Sequence, residues 1–206
     1  MTTWLILVIA AYILGSLPTG LLVAKLLQGP DPRTLGSGNL GAANLYRVHG
    51  PKAGALTLAG DAAKGALPVL AAWFWLAHLG AWREAAVAVV GAAAVLGQVS
   101  SVFLKFQGGK GVATSFGVVA ALAPVAALNL LIVYLAALAW TRIFSLSALL
   151  CAWLLPLAVG LFSDAKAFLM LAGFLSGLIL YRHRDNLLRL AQNEEPTISQ
   201  RPTEAD

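Results

Sequence analysis

What most constrains this chain is the length of its unbroken apolar runs. Trp4 to Leu27 spans 24 residues with Lys25 as its single charge. As a helix this run would reach about 36 Å, enough to cross the roughly 30 Å of hydrocarbon in a bilayer. A cleavable signal has a shorter apolar region behind a basic one, and Met1-Thr2-Thr3 carries no side-chain charge. The run therefore reads as a permanent transmembrane helix. Five more apolar stretches follow, at about 53–78, 84–104, 111–141, 143–161 and 165–181.

Composition agrees. The 206 residues are 59% hydrophobic and 11% charged, against about 45–50% and about 25% in soluble domains. That excludes an ordinary cytosolic domain and a disordered chain. The net charge of +5 is not arranged as a basic stripe with interleaved aromatics, so no nucleic-acid partner is expected. Cys151 is the single cysteine, so no intramolecular disulfide and no Cys/His metal centre are expected, and no cofactor is implied.

The charges set a topology. The stretch 111–141 is 31 residues long with Pro124 near its middle, too long for one upright helix. Lys105 and Lys110 precede it and Arg142 follows it, and the positive-inside rule wants all three on the cytoplasmic face. An even number of passes between them satisfies this, so the stretch is split near Pro124 into two short helices; two half-crossing helices that dip and return would satisfy it equally. The expected fold is an all-α polytopic membrane protein with seven transmembrane segments, N-terminus outside and C-terminus cytoplasmic. Eleven basic residues then lie inside (Lys25, Arg33, Arg47, Lys52, Lys105, Lys110, Arg142, Arg182, Arg184, Arg189 and Arg201), and only Arg83 and Lys166 lie outside. Residues 1–190 read as one membrane domain, and 191–206 as a polar, disordered cytoplasmic tail.

Five polar clusters fall on that cytoplasmic face. Gly36-Ser37-Gly38-Asn39-Leu40-Gly41 matches G-x-G-x-x-G, but a membrane helix precedes it, where a dinucleotide fold needs a strand. What survives is the physics: glycines let backbone N–H groups approach an anion, Ser37, Asn39 and Asn44 add polar groups, and Arg47 adds a planar fork for phosphate. Asp61 and Lys64 are i and i+3 on one helix face, where they can pair as structure or as site support. Lys105-Phe106-Gln107-Gly108-Gly109-Lys110-Gly111 is a glycine-rich turn with lysines at a helix start, though not a Walker A loop, since Leu104 and Gly111 stand at its required positions. Arg142 with Ser145 and Ser147 opens another helix. His183, Asn186 and Arg189 recur every three residues, near one face of a continuing helix.

No histidine begins an H-x4-D acyltransferase dyad, no G-x-S-x-G elbow occurs, and no carboxylate cluster offers a metal site. Cationic and hydrogen-bonding groups around a phosphate remain, suited to a reaction that carries its own leaving group.

These motifs resemble those of the bacterial integral-membrane glycerol-3-phosphate acyltransferases that use acyl-phosphate donors. The resemblance runs from about Leu14 to Glu195. It rests on Leu14-Gly15-Ser16-Leu17-Pro18, Gly36 to Arg47, Asp61-x-x-Lys64-Gly65, Val102-Phe103-Leu104, Gly108-Gly109-Lys110-Gly111-Val112-Ala113-Thr114, Thr141-Arg142 with Ser145-Leu146-Ser147, and His183-Arg184-x-Asn186-x-x-Arg189. The chain departs from the family pattern at Ala43 (usually Thr), Gln98 (His), Ser100-Ser101 (aromatic-Pro), Gln107 (Lys) and Asn193 (Gly).

The resemblance implies a multi-pass enzyme of the cell inner membrane with its active site facing the cytoplasm. Acyl phosphate and glycerol 3-phosphate would give 1-acylglycerol 3-phosphate and phosphate. Ser37, Arg47, His183 and Asn186 are implied as catalytic. Gly38, Asn39, Gly41, Asn44, Lys105, Gln107, Gly108, Gly109, Lys110, Arg142 and Ser145 are implied as substrate-binding. Asp61 and Lys64 are expected as structural or site-supporting, and Lys105 is the candidate to replace the charge absent at Gln107. A catalytically altered paralogue and a transporter of a phosphorylated solute are the alternatives.

Overall fold

The first apolar run does not fold as one rod. In the computed structural model, which describes residues 2–199, α1 (Thr2–Gly15) stops short of Pro18 and α2 (Thr19–Leu26) leaves at 45° to it. Proline has no N–H to continue the helical ladder and pushes the preceding residue out of the helical region. Residues 16–18 are thus non-helical backbone inside an apolar run, and such backbone persists only where protein satisfies it. Ser101 Oγ donates to Ser16 O at 2.6 Å and Lys64 Nζ donates to Leu17 O at 2.7 Å. The single straight helix expected over Trp4–Leu27 is corrected to this bent pair.

Eight further α-helices follow: α3 (Ala42–His49), α4 (Pro51–Trp75), α5 (Arg83–Val99), α6 (Val112–Leu122), α7 (Pro124–Thr141), α8 (Phe144–Phe162), α9 (Lys166–Arg182) and α10 (Arg184–Ala191). No strand occurs among the described residues. The stretch 111–141 breaks at Ala123-Pro124, into a helix of 11 residues and one of 18. By length and composition three segments can cross a membrane, Ala77–Leu104, Pro124–Thr141 and Phe144–Phe162, and the bent α1–α2 pair would make a fourth. α4 is 25 residues long but carries Thr57, Asp61 and Lys64 on its buried face.

α4 and α5 form the centre, with α1 and α6 laid against them; α9 packs on α5, and α7 and α8 extend the bundle between α6 and α9. Two helix contacts are backbone to backbone. A Cβ on Gly117 of α6 would stand 2.0 Å from Ala62 O of α4, and one on Gly65 of α4 would stand 2.2 Å from Thr114 O. Gly15 and Gly97 do the same between α1 and α5. Small residues that let helices close up this far are the membrane-protein substitute for a hydrophobic drive to pack. The outward faces are apolar, with Trp140 90% exposed and Phe74, Met170 and Leu161 also open, as a lipid-facing surface requires.

Candidate active site

The site is built where the α3, α6, α8 and α9–α10 ends meet. At the α5–α6 turn, Val99 O accepts from Gly108 N at 3.1 Å and Gln98 O accepts from Gly109 N at 2.9 Å, while Arg182 Nη2 donates to Gly108 O at 2.9 Å. Gly111 then caps α6 at φ 80°, in the left-handed region that glycine enters without steric cost. So held, the loop delivers Lys110, whose Nζ lies 2.5 Å from Asn186 Oδ1 on α10.

His183 joins α9 to α10. Its Nδ1 donates to Ile179 O at 2.8 Å, a tautomer that leaves Nε2 as an acceptor. Burial, and then the charge of Lys110, pushes the imidazole down to about 4, so it is neutral at pH 7. Burial likewise lowers Lys110 to about 8, with Glu195 opposing that shift and Arg189 and Arg47 adding to it.

The sequence reading missed the centre of the cluster. Glu195 is 8% exposed. Its Oε1 accepts from Ser145 Oγ and from Asn186 Nδ2, both at 2.6 Å, and its Oε2 accepts from Arg189 Nε at 2.8 Å. Burial would raise this carboxyl, but those three donors outweigh it and hold it below its ordinary value. Arg47 closes the cluster from α3: its Nη2 donates to Pro196 O at 2.9 Å and its guanidinium sits 5.5 Å above the Phe144 ring. Arg47 Nε is buried without a partner among the described residues, a donor left over for a ligand. The expectation of a disordered tail from Ala191 is corrected over 191–199: α10 runs to Ala191, Glu195 is anchored, and Ile198 N donates to Arg142 O at 2.8 Å. The rest of the tail, 200–206, lies outside the described residues. The available signal was a lone acidic pair, Glu194-Glu195, directly after a basic helix.

Other expected residues stand elsewhere. Asn44 is buried and its amide is used by its own loop: Oδ1 accepts from Ser37 N at 3.0 Å, and Nδ2 donates to Pro32 O and Leu35 O. These bonds make it an anchor of the loop. Ser37 is exposed between Gly36 and Gly38, both at positive φ, and Asn39 Oδ1 accepts from Gly41 N at 2.9 Å. Lys105 and Gln107 are exposed, and Lys105 and Phe106 are left-handed at φ 52° and 63°. Among the described residues no side-chain hydrogen bond or ion pair joins Lys105 or Gln107 to the Lys110–Glu195 cluster. Arg142 is exposed and meets the tail through its carbonyl. Asp61 and Lys64 form a buried ion pair at 2.8 Å, both side chains 4% exposed. No group of three or more His, Cys, Asp or Glu among the described residues could hold a metal.

Arg47, Lys110 and Arg189 against Glu195 leave two uncompensated positive charges beside a neutral histidine and several donors. That balance fits a bound phosphate dianion.

The profile of the family described as glycerol-3-phosphate acyltransferase matches residues 5–193. The chain belongs to this family. Similar glycerol-3-phosphate acyltransferases come from Trichlorobacter lovleyi, 46% identical over 95% of this chain and 97% of that one, and from Myxococcus xanthus, 45% identical over 92% and 96%. The crystal structure of PlsY (YgiH), an integral membrane glycerol 3-phosphate acyltransferase, in its glycerol 3-phosphate form superposes with a TM-score of 0.87 at 39% identity, covering 95% of both chains. Its lysophosphatidic acid form gives 0.85 at 38%. This glycerol-3-phosphate acyltransferase is therefore an integral-membrane enzyme of phospholipid biosynthesis, and its charged cluster is the place to look for the chemistry.

Proposed function

We propose that the donor is an acyl phosphate and that the Arg47–Lys110–His183–Asn186–Ser145 cluster is where transfer occurs. The observation that carries this is the excess of two positive charges around hydrogen-bond donors; the Ser145 hydroxyl does donate to Glu195, but that carboxylate also accepts from Asn186 and Arg189 and is held below its ordinary pKa, which makes it a weak base. Such a site binds and orients phosphates and leaves bond-making to the substrates. The glycerol 3-phosphate hydroxyl oxygen attacks the acyl carbonyl carbon, the carbon–oxygen bond to phosphate breaks, and the hydroxyl proton ends on the departing phosphate. His183 Nε2, an acceptor at neutral pH, orients that hydroxyl. Arg47, with a spare Nε–H, and Lys110 hold phosphate oxygens. Ser37, exposed on its glycine-flanked turn, and Asn39, Gly38 and Gly41 face the entering substrate.

Seven spans with the N-terminus outside, in the cell inner membrane, support a cytoplasmic site: the eleven-to-two charge bias puts every cluster residue on one side. Purified protein in detergent or vesicles, given acyl phosphate, is expected to release phosphate only when glycerol 3-phosphate is added. Release that ignores glycerol 3-phosphate, or no release at all, would overturn the reading.

A further inference from the structure

The buried ion pair on α4 is not isolated. Lys64 Nζ meets four oxygens: Asp61 Oδ1 at 2.8 Å, Leu17 O at 2.7 Å, Thr19 Oγ1 at 3.3 Å, and Gln98 Oε1. These come from the α1–α2 break, from α2, from α4 itself and from α5. An ammonium has three N–H groups, so four acceptors saturate it. Gln98 is the member that reaches onward. Because its Oε1 accepts from Lys64, its Nε2 points the other way. There it lies against the glycine loop: a Cβ on Gly109 would stand 2.7 Å from Gln98 Nε2 and 3.7 Å from Asn39 Oδ1. The Gln98 main chain grips the same residue, accepting from Gly109 N at 2.9 Å. Lys110 is next in sequence, with its Nζ on Asn186.

We propose that Gln98 is a positioning residue: through one side chain it ties the buried Asp61–Lys64 pair to the loop that carries Lys110, and so fixes where that ammonium meets phosphate. The inference rests on the acyltransferase reading. Gln98 is 9% exposed and touches no reacting atom; it acts on the loop. An amide suits the place because its oxygen accepts from Lys64 while its nitrogen end packs against Gly109 of the loop. A carboxylate adds negative charge beside Asp61, and an apolar side chain loses the acceptor that Lys64 uses.

The test is a double-mutant cycle between Gln98→Ala and Gly109→Ala, with steady-state kinetics for glycerol 3-phosphate and a thermal midpoint for each variant. The wild-type protein is assayed first; without phosphate release that depends on glycerol 3-phosphate, the acyltransferase reading falls, and the same cycle is then read from the thermal shift that glycerol 3-phosphate produces. In the natural background the Gly109→Ala methyl displaces the Gln98 amide and the loop, and KM for glycerol 3-phosphate should rise about tenfold with kcat changed less than threefold. In the Gln98→Ala background the methyl has room, and it should cost less than twofold. Should Gln98→Ala not fold, Gln98→Asn, one methylene shorter, withdraws the amide from Gly109 and replaces it in the cycle. An equal Gly109→Ala penalty in both backgrounds would overturn the proposal. So would a lower thermal midpoint with kcat and KM per folded protein unchanged, which is what a merely structural Gln98 predicts.

Discussion

Lys110 and Glu195 carry the two titrations that matter, and they act in different ways. Lys110 binds phosphate as an ammonium, and burial brings its pKa down to about 8. The binding form is present below that value and lost above it, so kcat/KM for glycerol 3-phosphate should fall tenfold per pH unit above about 8. A bound phosphate favours the charged form, so the alkaline limb of kcat should stand at higher pH than that of kcat/KM. Superimposed limbs in the two profiles would remove Lys110 from the binding role. His183, at about 4, is neutral throughout this range and contributes no limb. Glu195 governs stability. Its carboxyl is held below its unfolded value of about 4.5, so its contribution is complete above about 4.5 and is lost as pH falls through the lower folded value. Glu195→Gln should lower the thermal midpoint at pH 7, by about 1–3 kcal/mol of lost pairing after discounting the partly exposed Arg189. It should also flatten the decline of that midpoint below pH 4.5. An acid decline unchanged in the variant would assign that decline to other groups. Glu195 was out of reach of a sequence reading because its three donors, Ser145, Asn186 and Arg189, come from two helices that only packing brings together.

Among the elements, helix ends and helix contacts were legible to different degrees. Proline carries no N–H for the helical ladder, and the break at Pro124 was expected from it; Pro18 follows the end of α1 by the same physics, although the unbroken apolar run suggested one rod, whereas Pro68 and Pro156 lie inside α4 and α8 without ending them. The glycine contacts were not legible. Gly117 and Gly173 look alike in an apolar helix, yet a Cβ on Gly117 would stand 2.0 Å from Ala62 O, whereas one on Gly173 would meet nothing within 4 Å. Gly117→Ala should therefore force α4 and α6 apart and lower stability by about 1–3 kcal/mol or more, read as a lower thermal midpoint in detergent. Gly173→Ala should leave it unchanged or slightly raised. Equal midpoints for the two variants would show that α4 and α6 do not pack this closely.

At the scale of the whole molecule, the proposed orientation rests on the distribution of charge. Single cysteines at positions 38 and 81, in a Cys151→Ser background, should be labelled by an impermeant thiol reagent from opposite sides of sealed vesicles. Labelling from the same side would defeat the proposed topology. Much of this protein follows from its sequence, because the cost of burying charge in hydrocarbon acts on each segment by itself. Run length marked apolar helices, and short motifs sufficient for the family stood between them. What joins the motifs was decided in three dimensions. The helices are apolar nearly all round, and lipid and protein interior are equally apolar, so no periodicity says which face meets which helix. Hence the sequence held Gln98, Lys64 and Glu195 in plain view without showing that one ties an ion pair to a glycine loop, or that another folds back into a cluster of cations. Those partners lie 34 and 50 residues apart in the chain, and only the packing of α4 on α5 and the return of the segment after α10 onto α8 bring them within hydrogen-bonding distance.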